Sequence, residues 1–431
     1  MIPVITFLAL AALTHAFAGL LIKGEDRRWV SKVMLIAWFS LFPLLALINL
    51  WFPFTGADDE DYFYLAATPF DSLADFFDLT RYEVEQPGYP WLLSILYQLT
   101  GHDLLAFKLL NLALFVMLIP FWYRIGAELE SKSFGRAAAV AIFLLTPLWY
   151  YAMFLFKDIA ITLLQSVFLL GLVQVSRGRG KGSWLLSLAA TLALIPFRSQ
   201  LVLVNVAVLV GAVALMSARR GQWGKTVTSL IMSAIVVGAV LTIASDRESM
   251  AAMGIYADHR VVGLESTAES ATLLGETSRI NRTLFPLLYL FSETAGLNPQ
   301  NWTNFDASSL RGVLALSWIF TAVPFFMVGL LWLIRRNSQA TGRGGVIARV
   351  RSSRVVATPW GSVLLFILCY MAVSWTVGDT TRWRIPDMPA MAAVALGGWF
   401  SVAPANRMLV LLSWVTFSGG LFAMFYLMRE Q

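Results

Sequence analysis

Residues 33–53 read VMLIAWFSLFPLLALINLWFP, and the next eight read FTGADDED. The first stretch carries no charge and is long enough to cross a hydrocarbon core of roughly 30 Å as a helix. The acids that follow at once, Asp58, Asp59, Glu60 and Asp61, mark where the chain leaves the apolar phase. This juncture decides the reading of the whole chain. It is an all-α membrane protein whose chemistry gathers where helices end.

The composition agrees. Of 431 residues, 58% are apolar or aromatic and 13% charged, against roughly 45–50% and about 25% in globular domains. The 32 basic and 26 acidic residues cannot clothe a soluble surface, which excludes an ordinary soluble enzyme, a disordered chain and a fibre. Cys369 stands alone in an apolar run, and His15, His102 and His259 lie far apart. Disulfide frameworks and metal centres built on cysteine are therefore excluded, and the spacing of the histidines argues against one built on histidine.

A window of about 20 residues predicts about twelve spans, near 2–22, 33–53, 104–123, 137–156, 159–176, 183–197, 199–217, 226–245, 312–334, 360–377, 385–403 and 408–428. Two of these, 183–197 and 199–217, are separated only by Arg198. They fit a short helix that breaks and turns back, or one long bent element. No basic stretch precedes the first span, which reads as retained rather than cleaved.

Loops 23–32, 124–136, 178–182, 218–225, 335–354 and 404–407, with Arg177, hold 20 of the 32 basic residues and only four acids, Glu25, Asp26, Glu128 and Glu130. By the positive-inside rule these loops face the cytoplasm and both termini lie outside. The formal charge of +6 is thus a topology signal, and it does not point to nucleic acid. Two outer segments are long, 54–103 and 246–311, and neither has the strand pattern or size of a separate soluble domain. The expectation is one membrane domain over 1–431 with its function on the outer face. No internal repeat or duplicated pair of broken helices is visible, which weighs against an inverted-repeat transporter.

Four adjacent acids repel one another, and such clusters persist where they hold a cation or supply a base. A plain acidic helix start is the competing reading. After them, Asp71, Asp75 and Asp78 oppose Phe70, Leu73 and Phe77, the pattern of an amphipathic interfacial helix. Glu85-Gln86-Pro87-Gly88-Tyr89-Pro90-Trp91 then leads into an apolar helix too short to span.

An apolar span, an acidic pair with Tyr62 nearby, an interfacial helix and a Pro-x-Tyr-Pro-led helix together resemble the glycosyltransferase-C superfamily of polyprenyl-phosphate-sugar-dependent transferases. The late stretch Gly378-Asp-Thr-Thr-Arg382-Trp-Arg384-Ile-Pro386-Asp-Met-Pro389 is similar to that family's Arg-aromatic-Arg-hydrophobic-Pro run. Leu145-Thr-Pro147-Leu-Trp-Tyr150 with Lys157-Asp158 is similar to its second outer turn. The resemblance covers about residues 33–210 and 360–400, with loose motifs. The chain departs from the family by an extra N-terminal span and by lacking the large C-terminal soluble domain of some members. The Glu-x-Pro-Gly-Tyr phrase and the Lys-Asp pair also resemble membrane polymerases of exopolysaccharide and O-antigen repeat units.

The resemblance implies a multi-pass cell-membrane enzyme of the bacterial inner-membrane type. It would move a sugar from a polyprenyl-phosphate donor to a glycan, lipid or protein acceptor on the extracytoplasmic face. That chemistry needs a base, cations on the departing phosphate and an apolar groove for the lipid. Asp58, at the position matched to the family's loop acid, or Asp59 would be the base. Asp59-x-Asp61 also fits a divalent cation held by oxygen ligands. Arg382 and Arg384 would hold phosphate, since arginine matches it in bidentate fashion; snorkelling at a helix end is their ordinary alternative. Lys157-Asp158 is either a local ion pair or a phosphate contact beside a second catalytic carboxylate. Arg198 is stranded between apolar segments, where an ionisable group faces a cavity or a partner. Arg279 and Arg282 share a helical face and would clamp a diphosphate or pair with nearby glutamates. Tyr62 and Tyr89 complete the substrate-binding candidates. A flippase or transporter of lipid-linked sugars is the alternative of another class, and it predicts polar groups deep in several spans.

Overall fold

The structure is a computed structural model, and it describes residues 2–55, 57–67, 72, 86–179, 181–198, 200–219, 307–339, 359–377 and 385–429. Every regular element among them is helical. In chain order these are α1 (Ile2–Leu21), α2 (Glu25–Trp51), α3 (Ala57–Leu65), α4 (Gly88–Thr100), α5 (Leu104–Leu129), α6 (Lys132–Phe143), α7 (Thr146–Met153) and α8 (Asp158–Ser176). Then follow α9 (Lys181–Ala193), α10 (Ile195–Arg198), α11 (Gln200–Arg219), α12 (Ala307–Ser317), a π turn (Trp318–Ala322), α13 (Val323–Gln339), α14 (Pro359–Val377), a 3-10 turn (Ile385–Asp387), α15 (Met388–Ser401) and α16 (Pro404–Arg429).

Among the described residues, five stretches are long and apolar enough to cross a membrane: α1, α2, α5, α8 and the Leu310–Arg335 run through the π turn. A sixth is the pair α6 and α7, if that bent pair is one span. The expected span 137–156 is this pair, bent by 54°. The bend falls at Leu144–Leu145, just before Pro147 near the start of α7. Such a break accompanies proline. The expected 226–245 span lies outside the described residues. Among the described residues the structure thus shows an all-helical bundle with about five helices long and apolar enough to span a membrane, a coarser result than twelve.

The doubtful region 183–217 is now decided. Asn205 Nδ2 donates to Thr191 Oγ1 at 3.3 Å. Fourteen residues of continuous helix would separate these two by about 21 Å. The chain therefore breaks through α10 and turns back.

α5 is the axis of the bundle, with most of its side chains buried, and α1, α2, α6 and α8 pack around it. At the crossing of α13 and α15, a Cβ on Gly329 would lie 2.1 Å from the Val394 carbonyl oxygen, and one on Gly398 2.0 Å from that of Phe325. Only glycine admits backbones this close, the usual device of membrane helix packing. Facing outward are large apolar side chains, among them Leu8, Leu13 and Leu20 of α1, Phe39 and Leu50 of α2, and Leu409 and Leu412 of α16. An outer surface of this kind is solvated by lipid.

The two ends of the bundle differ. At one end, α2 hands over to the acidic α3; this is the acidic end. At the other, Asp26 takes Arg136 at 2.8 Å and Lys132 at 3.4 Å, and Glu128 takes Arg179 at 3.1 Å and Arg124 at 3.7 Å. Trp360 Nε1 donates to Glu130 at 2.6 Å. Three of the four acids counted on the basic side of the chain are thus tied down by neighbours.

A candidate polar site at the acidic end of the bundle

α3 starts directly after the bend at Phe52–Thr55. Asp59 is its third residue, is fully buried, and turns back so that both carboxylate oxygens accept the Thr55 N–H, at 2.8 and 3.1 Å. A donor left over at the helix start is thereby satisfied. Asp59 fulfils the plain helix-start reading, at least in part. Asp61 is exposed. Two residues apart on a helix, Asp59 and Asp61 diverge by about 200°, so the structure does not bring them together as ligands of one cation. Among the described residues no group of three His, Cys, Asp or Glu could hold a metal. Asp58 occupies the first turn of α3 by its backbone.

The helix α4 brings in Tyr89, which is fully buried. Its ring meets Tyr62 of α3 edge-on at 5.0 Å, and its hydroxyl donates to Asn111 Oδ1 of α5 at 2.8 Å. Asn111 Nδ2 in turn donates to the carbonyls of Phe154 at 2.6 Å and Phe156 at 3.0 Å. One asparagine therefore ties α5 to the turn that precedes Asp158. Burial above all, then the Tyr62 ring's phenol and the carboxylates of Asp59 and Asp158, hold the Tyr89 phenol well above its usual range, with the Asn111 bond opposing.

The expectation for Lys157-Asp158 takes a definite form. Lys157 donates to Gln86 Oε1, at the mouth of α4. Asp158, fully buried at the start of α8, accepts Arg198 Nη2 at 3.1 Å. Arg198 is brought there by α10, which packs against α4 where Gly88 meets Pro196: a Cβ on Gly88 would lie 2.9 Å from the Pro196 carbonyl carbon and oxygen. This explains why glycine follows Pro87. The stranded arginine has found its partner 40 residues away.

Scanned against protein-family models the chain matches none, and a search of curated proteins finds no match.

Five further buried polar residues escaped the sequence reading. Lys108 of α5 is fully buried; its ammonium donates to the Pro53 carbonyl at 2.5 Å and lies 4.9 Å over the Phe154 ring. It fixes the chain where it leaves α2. Asn111 was described above. Gln165 of α8 and Tyr370 of α14 are buried beside one another, and Asp387 of the 3-10 turn is fully buried within electrostatic reach of Tyr370, as is Arg198. A lone polar residue inside an apolar span is a functional flag, and Lys108, Asn111 and Gln165 could have been found by it. Arg279, Arg282, Arg382 and Arg384 lie outside the described residues, as does all but Ser72 of the amphipathic stretch 70–79. The turn that follows Arg384, Ile385–Asp387, is buried and packs against α8.

Proposed function

We propose that this chain is a membrane glycosyltransferase that moves a sugar from a polyprenyl-phosphate-linked donor to an acceptor on the extracytoplasmic face. The observation that carries the reading is a convergence. Charged and phenolic groups from separate segments, Asp59 and Tyr62, Tyr89, Lys157 with Asp158, and Arg198, meet at one end of the bundle. A lipid-borne donor would reach such a site from the bilayer, with its tail along the apolar flank and its phosphate at the head-group level. Arg382 and Arg384, just before the turn that packs on α8, are the proposed phosphate ligands, together with Lys157.

Asp59 is committed to the Thr55 N–H, so Asp58 becomes the preferred general base: it would take the proton of the acceptor hydroxyl as that oxygen attacks the anomeric carbon, while the bond from that carbon to the phosphate oxygen breaks and the polyprenyl phosphate leaves with the electron pair. Asp158 holds Arg198 in place and is a positioning residue. The test is transfer of a labelled lipid-linked sugar by membranes carrying Asp58→Asn. Loss of transfer with normal folding is expected. Transfer at the wild-type level would end the assignment of Asp58, and unchanged transfer by the Arg382→Ala and Arg384→Ala variants would remove the phosphate role separately.

One observation favours a second reading, translocation of a lipid-linked sugar. Gln165 and Tyr370 place buried polar groups within the helical bundle, deeper than the acidic end. Movement of a fluorescent lipid-linked sugar across the bilayer of proteoliposomes, without transfer, would support it over the transferase.

A further inference from the structure

At the basic end of the bundle, opposite α3, helix α2 changes character along one face. Arg28, Lys32, Leu35, Ile36 and Phe39 fall within about 100° of one another around the helix, and all five are exposed. The first two are cations and the next three are apolar, so the change takes place within a single turn. Arg27 faces α1 instead: a Cβ on Gly19 would lie 2.7 Å from its guanidinium carbon. Next to Gly19, Leu20 is 79% exposed, and Leu13 and Phe17 continue the exposed apolar face of α1. The seam of α1 and α2 thus carries three cations with an apolar flank directly beneath them.

The acids nearby do not neutralise these cations. Asp26, buried at the same helix start, is held by Arg136 and Lys132 of α6. Among the described residues, none of Arg27, Arg28 and Lys32 takes part in an ion pair. Lys23 and Glu25, the other exposed charges of this stretch, offset each other, so three positive charges are left. A basic side chain at a helix end ordinarily snorkels to the head-group level, which is indifferent to the sign of the lipid. Three uncompensated cations are not indifferent, since near a membrane surface each favours anionic lipid by about fivefold. Arg28 and Phe39 are separated by about 16 Å along the helix axis, close to half of a hydrocarbon core of roughly 30 Å. The seam therefore matches one phospholipid from head group to chain end.

We propose that the α1–α2 seam at the basic end binds an acidic phospholipid, with Arg27, Arg28 and Lys32 on its phosphate-bearing head group and its acyl chains along Leu20, Leu35, Ile36 and Phe39. The arginines meet a phosphodiester with parallel N–H donors, and the lysine adds a compact point charge. A zwitterionic phospholipid brings the same phosphate together with a cation, which this seam repels. The proposal stands apart from the transferase reading, whose residues lie at the opposite end of the bundle.

The test is lipid binding by the full chain, purified in detergent and titrated with dioleoylphosphatidylglycerol or dioleoylphosphatidylcholine, with bound lipid counted by native mass spectrometry. Wild type should hold phosphatidylglycerol at least about tenfold more tightly than phosphatidylcholine. The combined variant Arg27→Gln, Arg28→Gln, Lys32→Gln should lose that preference and keep its phosphatidylcholine affinity within about twofold. A control, Arg177→Gln, Arg335→Gln, Arg407→Gln, removes as many cations from the same end but away from the seam, and should keep the preference. A wild type that does not discriminate overturns the proposal, as does a seam variant that still discriminates as wild type does. An equal loss in the control would show diffuse surface charge and overturn the seam. Loss of the preference in excess glycerol 3-phosphate at constant ionic strength would assign a site for free phosphate, and would overturn the lipid. If the seam variant does not fold, Arg28→Gln with Lys32→Gln decides by the same titrations, with a loss of at least about threefold expected.

Discussion

The pair Asp158–Arg198 gives the sharpest prediction, because both partners are out of solvent. The Asp158 side chain is 0% exposed and the Arg198 side chain 8%, at 3.1 Å. Screening by water or salt is therefore slight, and the cost of breaking the pair comes mainly from the charge left behind. Removing one partner of such a pair costs about 3–5 kcal/mol, whereas replacing both by neutral groups of similar volume is often close to neutral. Arg198→Met should therefore lower stability by about 3 kcal/mol or more, and Asp158→Asn by a similar amount. The double variant should fall far short of the sum of the two, with a coupling of at least about 2 kcal/mol. The assay is reversible unfolding in mixed micelles by SDS titration, run on all four proteins. If the two single losses add within about 0.5 kcal/mol, the sites are independent and the buried pair does not hold α10 to α8. In that event the positioning role of Asp158 falls with it.

Four further outcomes follow from the same geometry. Gly88→Ala forces a Cβ to within 2.9 Å of the Pro196 backbone and should cost about 1–3 kcal/mol by overpacking, seen as a lower melting temperature together with reduced transfer; wild-type melting would mean that α4 and α10 are not pressed together. Asp59→Ala should cost about 1 kcal/mol by freeing the Thr55 N–H, and an unchanged melting temperature would remove its anchoring role. Tyr89, whose phenol is raised when folded, stabilises the fold below its ordinary pKa of 10.0 and loses that contribution as pH climbs through the folded value; melting measured from pH 8 to 11 should fall, and less steeply in Tyr89→Phe. At the basic end, Asp26→Asn frees Arg136 and Lys132, both substantially exposed. The loss should be about 1 kcal/mol or less, with transfer unchanged, and a large loss of transfer would tie that end of the bundle to the reaction.

The helices were legible because hydropathy over about 20 residues is a local property: α1, α2, α5 and α8 lie where the apolar runs lie. Local punctuation was legible too, since Pro-Gly before Tyr89 announced the entry to α4 and Arg198 a break. The acidic cluster could be found but not sorted. Which of Asp58, Asp59 and Asp61 turns inward depends on the phase of α3 against the Thr55 N–H, and that phase is set by the bend after Trp51 and by Lys108 gripping the Pro53 carbonyl.

By itself the sequence determined that the chain is built of long apolar helices fit to span a membrane, that its basic residues concentrate in one alternating set of loops, and that unusual polar residues sit at helix ends. These follow from burial of apolar surface and from charge in loops, and neither requires knowing what touches what. Only the tertiary structure decided that Asp158 belongs to Arg198 and Lys157 to Gln86, that Gly88 lies on Pro196, and that Gln165 lies beside Tyr370 two turns below the ion pair. Buried polar groups are satisfied by partners from distant segments. Those partners are chosen by how helices pack, which no local run of residues records.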